Sequence, residues 1–106
     1  MKTELLLHRL GLHATYKGYH YLFHALSLAT KDETYLLGLT TRLYPAVARH
    51  FGSSCSSVER SLRTLIDVFW RDGSRAYFEK IACCPLKGKP YVGKFISILV
   101  RYLKFT

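Results

Sequence analysis

His20 and His24 stand four residues apart, a spacing that puts both imidazoles on one helix face and suits a transition metal. No acidic or cysteine partner accompanies them locally, so a surface or interface pair is the more ordinary reading and no metal is expected. Cys55 precedes a helical run, where a helix N-terminus would stabilise a thiolate. No histidine or asparagine constellation surrounds it, so nucleophilic catalysis is not expected. Cys83 and Cys84 read as small apolar packers. Three cysteines with no zinc spacing imply no disulfide framework, which fits a reducing compartment. The seven carboxylates form no paired motif for acid–base work, and no Gly-rich phosphate loop occurs. Tyr16, Tyr19 and Tyr21 cluster with Lys17 in a way that suits base stacking, although at helical spacing such tyrosines more often pack. No enzyme and no cofactor is expected. What remains is hydrogen-bonding chemistry on one segment: Ser56, Ser57, Glu59, Arg60 and Arg63. These donors and acceptors suit the base edges of a DNA major groove.

The segment that must position them runs from Ser53 to Gly73. Its apolar residues fall at Val58, Leu62, Leu65, Ile66, Phe69 and Trp70, one face of an α-helix. Ser56 followed by Glu59 is a capping-box pattern and places the helix start near Ser56. Glu59 is thus a structural cap on one reading and a base reader on the other. Gly73 suits a left-handed residue that stops the helix. Before it, the run from Pro45 to Phe51 is a short helix ended by Gly52, with Val47, Ala48 and Phe51 sharing a face. A short helix, a turn with glycine and a longer helix make a helix-turn-helix layout. The same pattern also describes an ordinary corner of two helices.

The rest of the chain supplies the body on which that pair must sit. Residues 3–10 form a first helix ended by Gly11. Gly18 to Thr30 is a second, with Tyr19, Leu22, Phe23 and Leu26 at helical spacing. Thr34 to Leu43 reads as a third, capped by Asp32 and apolar on more than one side, hence central and well buried. Ser74 caps a short helix to Ala82. Cys83 to Pro90 is a loop, and Tyr91 to Phe105 is a final helix with Phe95, Ile96, Leu99, Val100 and Leu103 inward. The expectation is an all-α, single six-helix domain containing a helix-turn-helix. The N-terminal apolar run is too short for a signal peptide, and the uncharged stretch from Gly18 to Thr30 is too short for a bilayer. A cytoplasmic protein with no membrane partner is expected.

The formal charge is +9, which points to a polyanionic partner. Residues 74–106 carry seven basic groups against Glu79, whereas residues 44–73 carry only a small excess. Phosphate contacts are therefore expected mainly from the C-terminal third, with Arg49, Lys87, Lys89, Lys94 and Arg101 as candidates.

Several motifs together resemble a known family. They are Lys17 to Leu22 (KGYHYL), Leu36 to Gly38 (LLG), Leu43 to Ala48 (LYPAVA), Ser57 to Arg63 (SVERSLR) and Lys87 to Pro90 (KGKP). In order and spacing, from about Leu7 to Leu103, they are similar to the C-terminal DNA-binding domain of the sporulation master response regulator of endospore-forming bacteria. The resemblance implies a six-helix effector domain spanning residues 1–106. It implies binding to short promoter boxes in double-stranded DNA, often as a homodimer on tandem sites, to activate or repress transcription; RNA polymerase is a further candidate partner. It implies that Glu59 contacts bases and that Arg60 contacts DNA near the backbone. Ser57 stands where the family carries an arginine, so base reading there is expected to change. The family's regulator also has a phosphorylated receiver domain, and no receiver is expected in this chain. The resemblance thus implies a sequence-specific transcription regulator. The alternative is a protein-interaction module on the same scaffold, which would modulate a full-length regulator or RNA polymerase without reading DNA.

Overall fold

A computed structural model of the chain describes residues 2–105. Its described residues form six α-helices and no strand. The helices are α1 (Lys2–Arg9), α2 (Lys17–Lys31), α3 (Tyr44–Phe51), α4 (Cys55–Asp72), α5 (Arg75–Ala82) and α6 (Val92–Lys104). The all-α, six-helix reading of the sequence agrees with this architecture.

Helix α2 is the platform of the fold and packs on α4, α6 and α3. Its inward face is Tyr21, Leu22, Ala25, Leu26 and Ala29. Tyr19 and Phe23, expected inward, lie half-buried at the edge of the core. The α2–α4 crossing is close because Gly18 has no side chain. A Cβ there would lie 2.3 Å from the carbonyl oxygen of Ser61. Helix α4 buries Val58, Leu62, Leu65, Ile66 and Phe69, with Trp70 half-buried. Phe69, Phe78 and Phe95 then join α4, α5 and α6, with ring centroids 5.0–5.4 Å apart. That spacing is the favourable range for aromatic pairs.

Residues 34–43 depart from the single buried helix expected there. A 3-10 helix covers Glu33–Leu37 and a π-helical turn covers Leu39–Leu43, with Gly38 between them. The physical cause is local. Asp32 accepts from the Thr34 backbone N–H at 3.0 Å, which closes a tight first turn. Arg42 then folds back over the Tyr35 ring at 4.4 Å and pairs with Asp32 at 3.7 Å. Of this segment only Leu43 is buried, and Leu37 is 87% exposed.

Three helix-end expectations also change. The N-cap of α4 is Ser54, whose hydroxyl accepts from the Ser57 N–H at 3.1 Å. The helix therefore starts at Cys55, and Ser56 and Glu59 do not form a capping box. Gly73 is extended rather than left-handed (φ −84°, ψ −179°), because the next N–H, that of Ser74, bonds the Leu10 carbonyl at 3.0 Å. A left-handed residue instead ends α5. It is Cys83 (φ 61°), and both Cys83 and Cys84 are exposed rather than packed.

Candidate nucleic-acid interface

Gly52 adopts the left-handed conformation (φ 63°, ψ 39°) that most residues avoid, and it turns the chain sharply between α3 and α4. Its N–H and that of Ser53 bond back to α3, to Arg49 and Ala48 carbonyls. Val47, Ala48, Val58 and Leu62 fill the angle between the two helices. The expected helix-turn-helix is thus present, with α4 as its second helix.

The burial of α4 on one side fixes what the other side offers. Ser56, Arg60, Arg63 and Asp67, spaced four, three and four apart, form an exposed stripe opposite the core. Glu59 and Ser57 flank it and are half-buried. Arg63 donates to Glu59 at 3.0 Å. Asp67 is paired with Lys89 from the loop before α6. Both carboxylates on this surface are therefore matched by a base. Arg60 has no hydrogen bond or ion pair among the described residues, so it is the one stripe cation left uncompensated.

Glu59 does not play the capping role that the sequence suggested. It is neither a helix cap nor an unpartnered acceptor, and it holds Arg63. The charges of the same pair also act on Tyr44 at the start of α3. Burial, and secondarily the Glu59 charge, push the Tyr44 hydroxyl pKa up. Ser57 is half-buried rather than fully outward. Nearby, the Tyr21 hydroxyl donates to Ser53 at 3.2 Å.

Two shoulders border the stripe. On the Arg60 side, Tyr16, Lys17 and Gly18 at the start of α2 line a shallow concavity of about 140 Å³ with Ser61 and Thr64. On the Arg63 side, Lys89, Pro90 and Tyr91 line one of about 290 Å³ with Ile66 and Asp67. Tyr91 is 85% exposed there. Lys17 and Tyr91 were not among the residues expected to touch DNA. The clustering of Lys17 with Tyr16 was the signal in the sequence, but nothing local revealed that this helix start lies beside Arg60.

The phosphate candidates separate into groups. Lys87, Lys89 and Lys94 surround one concavity with Cys84, Pro85 and Tyr91, and the fold brings them together. The loop that carries them is fastened by Glu79, which accepts from the Leu86 N–H at 2.6 Å. Lys87 and Lys94 have no hydrogen bond or ion pair among the described residues. Arg49, exposed on α3, also has none for its side chain. Arg101 lies about two turns along α6 from Lys94 and donates to the Ala82 carbonyl at 3.3 Å, where it caps the end of α5. It does not line the concavity that Lys87, Lys89 and Lys94 surround.

The histidines are also separated in role. His20 donates from Nε2 to the Ala14 carbonyl at 2.7 Å. His24 stacks on His50 of α3, with centroids 3.8 Å apart. No cluster of three or more metal-ligating side chains occurs among the described residues. No described helix is long and apolar enough to cross a membrane.

A family model described as sporulation initiation factor Spo0A C terminal matches residues 3–103. The chain belongs to this family. The Spo0A C-terminal domain is a DNA-binding effector domain of a sporulation response regulator, and it is not an enzyme family. The chain thus belongs to a family of DNA-binding transcription regulators, and its all-helical fold fits a helix-turn-helix.

Proposed function

We propose that residues 1–106 act as one effector domain that binds double-stranded DNA sequence-specifically, with α4 in the major groove. The observation that carries this reading is Arg60. It stands exposed and unpaired mid-stripe, between a shoulder with Lys17 and a shoulder with Lys89. An arginine free of internal partners is the side chain best suited to a bidentate contact with guanine. Ser56 lies one turn before it and Arg63 one turn after. Arg63 contributes after exchanging Glu59 for DNA, or through Glu59 held in place beside it. Ser57, half-buried, is a weak base reader in this arrangement. Lys87 and Lys94 serve as phosphate contacts, together with Arg49 and with Lys89 once it leaves Asp67. Pairing of two such domains on tandem boxes, and contact with RNA polymerase, belong to the same reading.

Fluorescence anisotropy tests it, with a labelled duplex carrying the family's tandem promoter box, a scrambled duplex and a salt series. Preference for the box, lost in Arg60→Ala, is the expected result. Equal, salt-sensitive binding to both duplexes would mean that phosphate contacts persist without base reading. No binding to either would favour the protein-interaction reading, for which Leu37 and Phe105, 87% and 82% exposed, are the contact candidates.

A further inference from the structure

We infer that Tyr21 is a positioning residue for the recognition helix: its hydroxyl, which donates to Ser53 in the turn, fixes where the first turn of α4 lies. The inference rests on the DNA-reading function proposed above and adds a residue from outside the helix-turn-helix to it.

The first turn of α4 is poorly anchored by its own residues. Cys55 and Ser56 are exposed, Ser57 is half-buried, and the first buried side chain is Val58. The Ser54 cap satisfies the Ser57 N–H but ties the turn only to itself. Lateral placement has to come from another element, and α2 supplies it at two points. Gly18 lies against the Ser61 carbonyl. Tyr21, three residues on, donates from its hydroxyl to Ser53 at 3.2 Å, in the turn that leads into α4. The two contacts are thus one helical turn apart on α2. The first sets how closely the helices approach, and the second sets how α4 rotates about that point.

The Tyr21 ring is itself held. It is 4% exposed, and Phe51, the last residue of α3, packs against it with centroids 5.2 Å apart. A buried hydroxyl that has found partners carries a strong preference for its place. Here the hydroxyl touches Ser53, in the turn itself. The Tyr21 oxygen therefore ties α2 to the turn that leads into α4. Ser56 precedes Ser57 and Arg60 follows by three residues, so a shift of this turn displaces both.

Tyr21→Phe keeps the ring and removes only the oxygen. Ser53 and Ser57 are half-buried and can turn to water, so the variant should fold with nearly unchanged melting. Its affinity for the tandem-box duplex should fall about fivefold, the effect of one hydrogen bond. Binding to the scrambled duplex and the salt slope should stay as in the parent, because Lys87 and Lys94 are untouched. Adding Ser53→Ala to Tyr21→Phe should cost no further preference, whereas independent roles would add. Unchanged box preference, or an equal loss on both duplexes, would overturn the inference. Amide hydrogen exchange in the free protein gives an outcome that does not need DNA. Exchange at Ser57 and Val58 should quicken in Tyr21→Phe while Leu99 and Val100 stay protected; no change at Ser57 and Val58 would overturn the positioning role. If the parent protein bound neither duplex, the DNA reading would fail and this exchange result would decide the role of Tyr21 alone.

Discussion

The crossing of α2 and α4 and the C-terminal third of the chain serve the same surface by opposite means. The crossing works by shape: Gly18 meets the Ser61 backbone, and the Tyr21 hydroxyl meets Ser53. Charge is nearly balanced along α4, where Glu59 matches Arg63 and Lys89 matches Asp67. The C-terminal third works by charge, yet much of that charge is used inside the fold. Arg75 lies over the Trp70 ring at 3.6 Å and donates to its carbonyl. Arg101 caps α5, Lys104 pairs with Glu33, and Lys89 pairs with Asp67. Lys80, Lys87 and Lys94 are left without hydrogen bond or ion pair among the described residues. Net charge alone therefore overstates how many phosphates this third can hold. Lys87 and Lys94 line one concavity with Lys89, and in the proposed function they supply the attraction while the crossing sets the geometry.

Gly18→Ala tests the shape side with the largest expected effect. Helix propensity alone would favour alanine by about 1 kcal/mol. The new Cβ meets backbone rather than a flexible side chain, so α4 must move, and overpacking of this kind costs about 1–3 kcal/mol. A net loss of up to about 2 kcal/mol in urea unfolding is expected, along with weaker box preference. A net gain in stability would mean the crossing is slack and would break the contrast. Arg60→Ala should come next, at about 1–3 kcal/mol of box discrimination in anisotropy titrations. Arg60 is exposed and unpaired, so its loss should leave the melting temperature alone.

The charge side is sharpened by contrasting two of its own cations. Lys87→Ala should weaken binding evenly across sequences and flatten the log–log salt slope by about one unit. Arg101→Ala should leave that slope intact and instead cost about 1 kcal/mol of stability, since it uncovers the Ala82 carbonyl. If both variants changed the salt slope alike, the division between fastening and phosphate-binding cations would be wrong.

The two regions also differed in how far the sequence revealed them. The apolar period of α4 and α6, the Gly52 turn and the Ser74 cap are local signals, and the fold follows them. The start of α4 was less determined, because Ser53, Ser54, Ser56 and Ser57 can all cap a helix. The αL turn at Gly52 and the burial of Val58 select Ser54. The 34–43 segment misled for a related reason. Leu36, Leu39 and Leu43 fit a helical period, but Arg42 closing over Tyr35 and Asp32 makes two short turns around Gly38 instead. At the interface, Arg60 was legible from its position on a polar face. The partners of its neighbours were not. Lys89 with Asp67, Arg101 with Ala82 and Tyr21 with Ser53 are brought together by tertiary packing, and no local pattern in the sequence encodes such pairs.

The smallest expected effect probes the back of the shape-determined region. His24 is held below its ordinary pKa of 6.5, first by burial, then by His50 stacked on it, then by Lys31. His20 and Lys31 of α2, His50 of α3 and Glu4 of α1 are the titratable groups around it. The unfolded chain therefore holds more protons than the folded one at pH values between the lowered pKa and 6.5. Stability must then rise with pH across that window, be fully present above 6.5 and decline on acidification below it. Urea midpoints at pH 7.5 and 5.5 should show a larger acid loss in the parent than in His24→Gln. Phe51 contacts His24, His50 and Tyr21, so the same acidification should also quicken amide exchange at Ser57 and Val58. Non-specific DNA affinity should move the opposite way, because each added proton attracts phosphate. Acid would then weaken box preference while strengthening scrambled binding, a split that only separate geometric and electrostatic regions produce. Parallel changes on both duplexes would show that the two regions act as one.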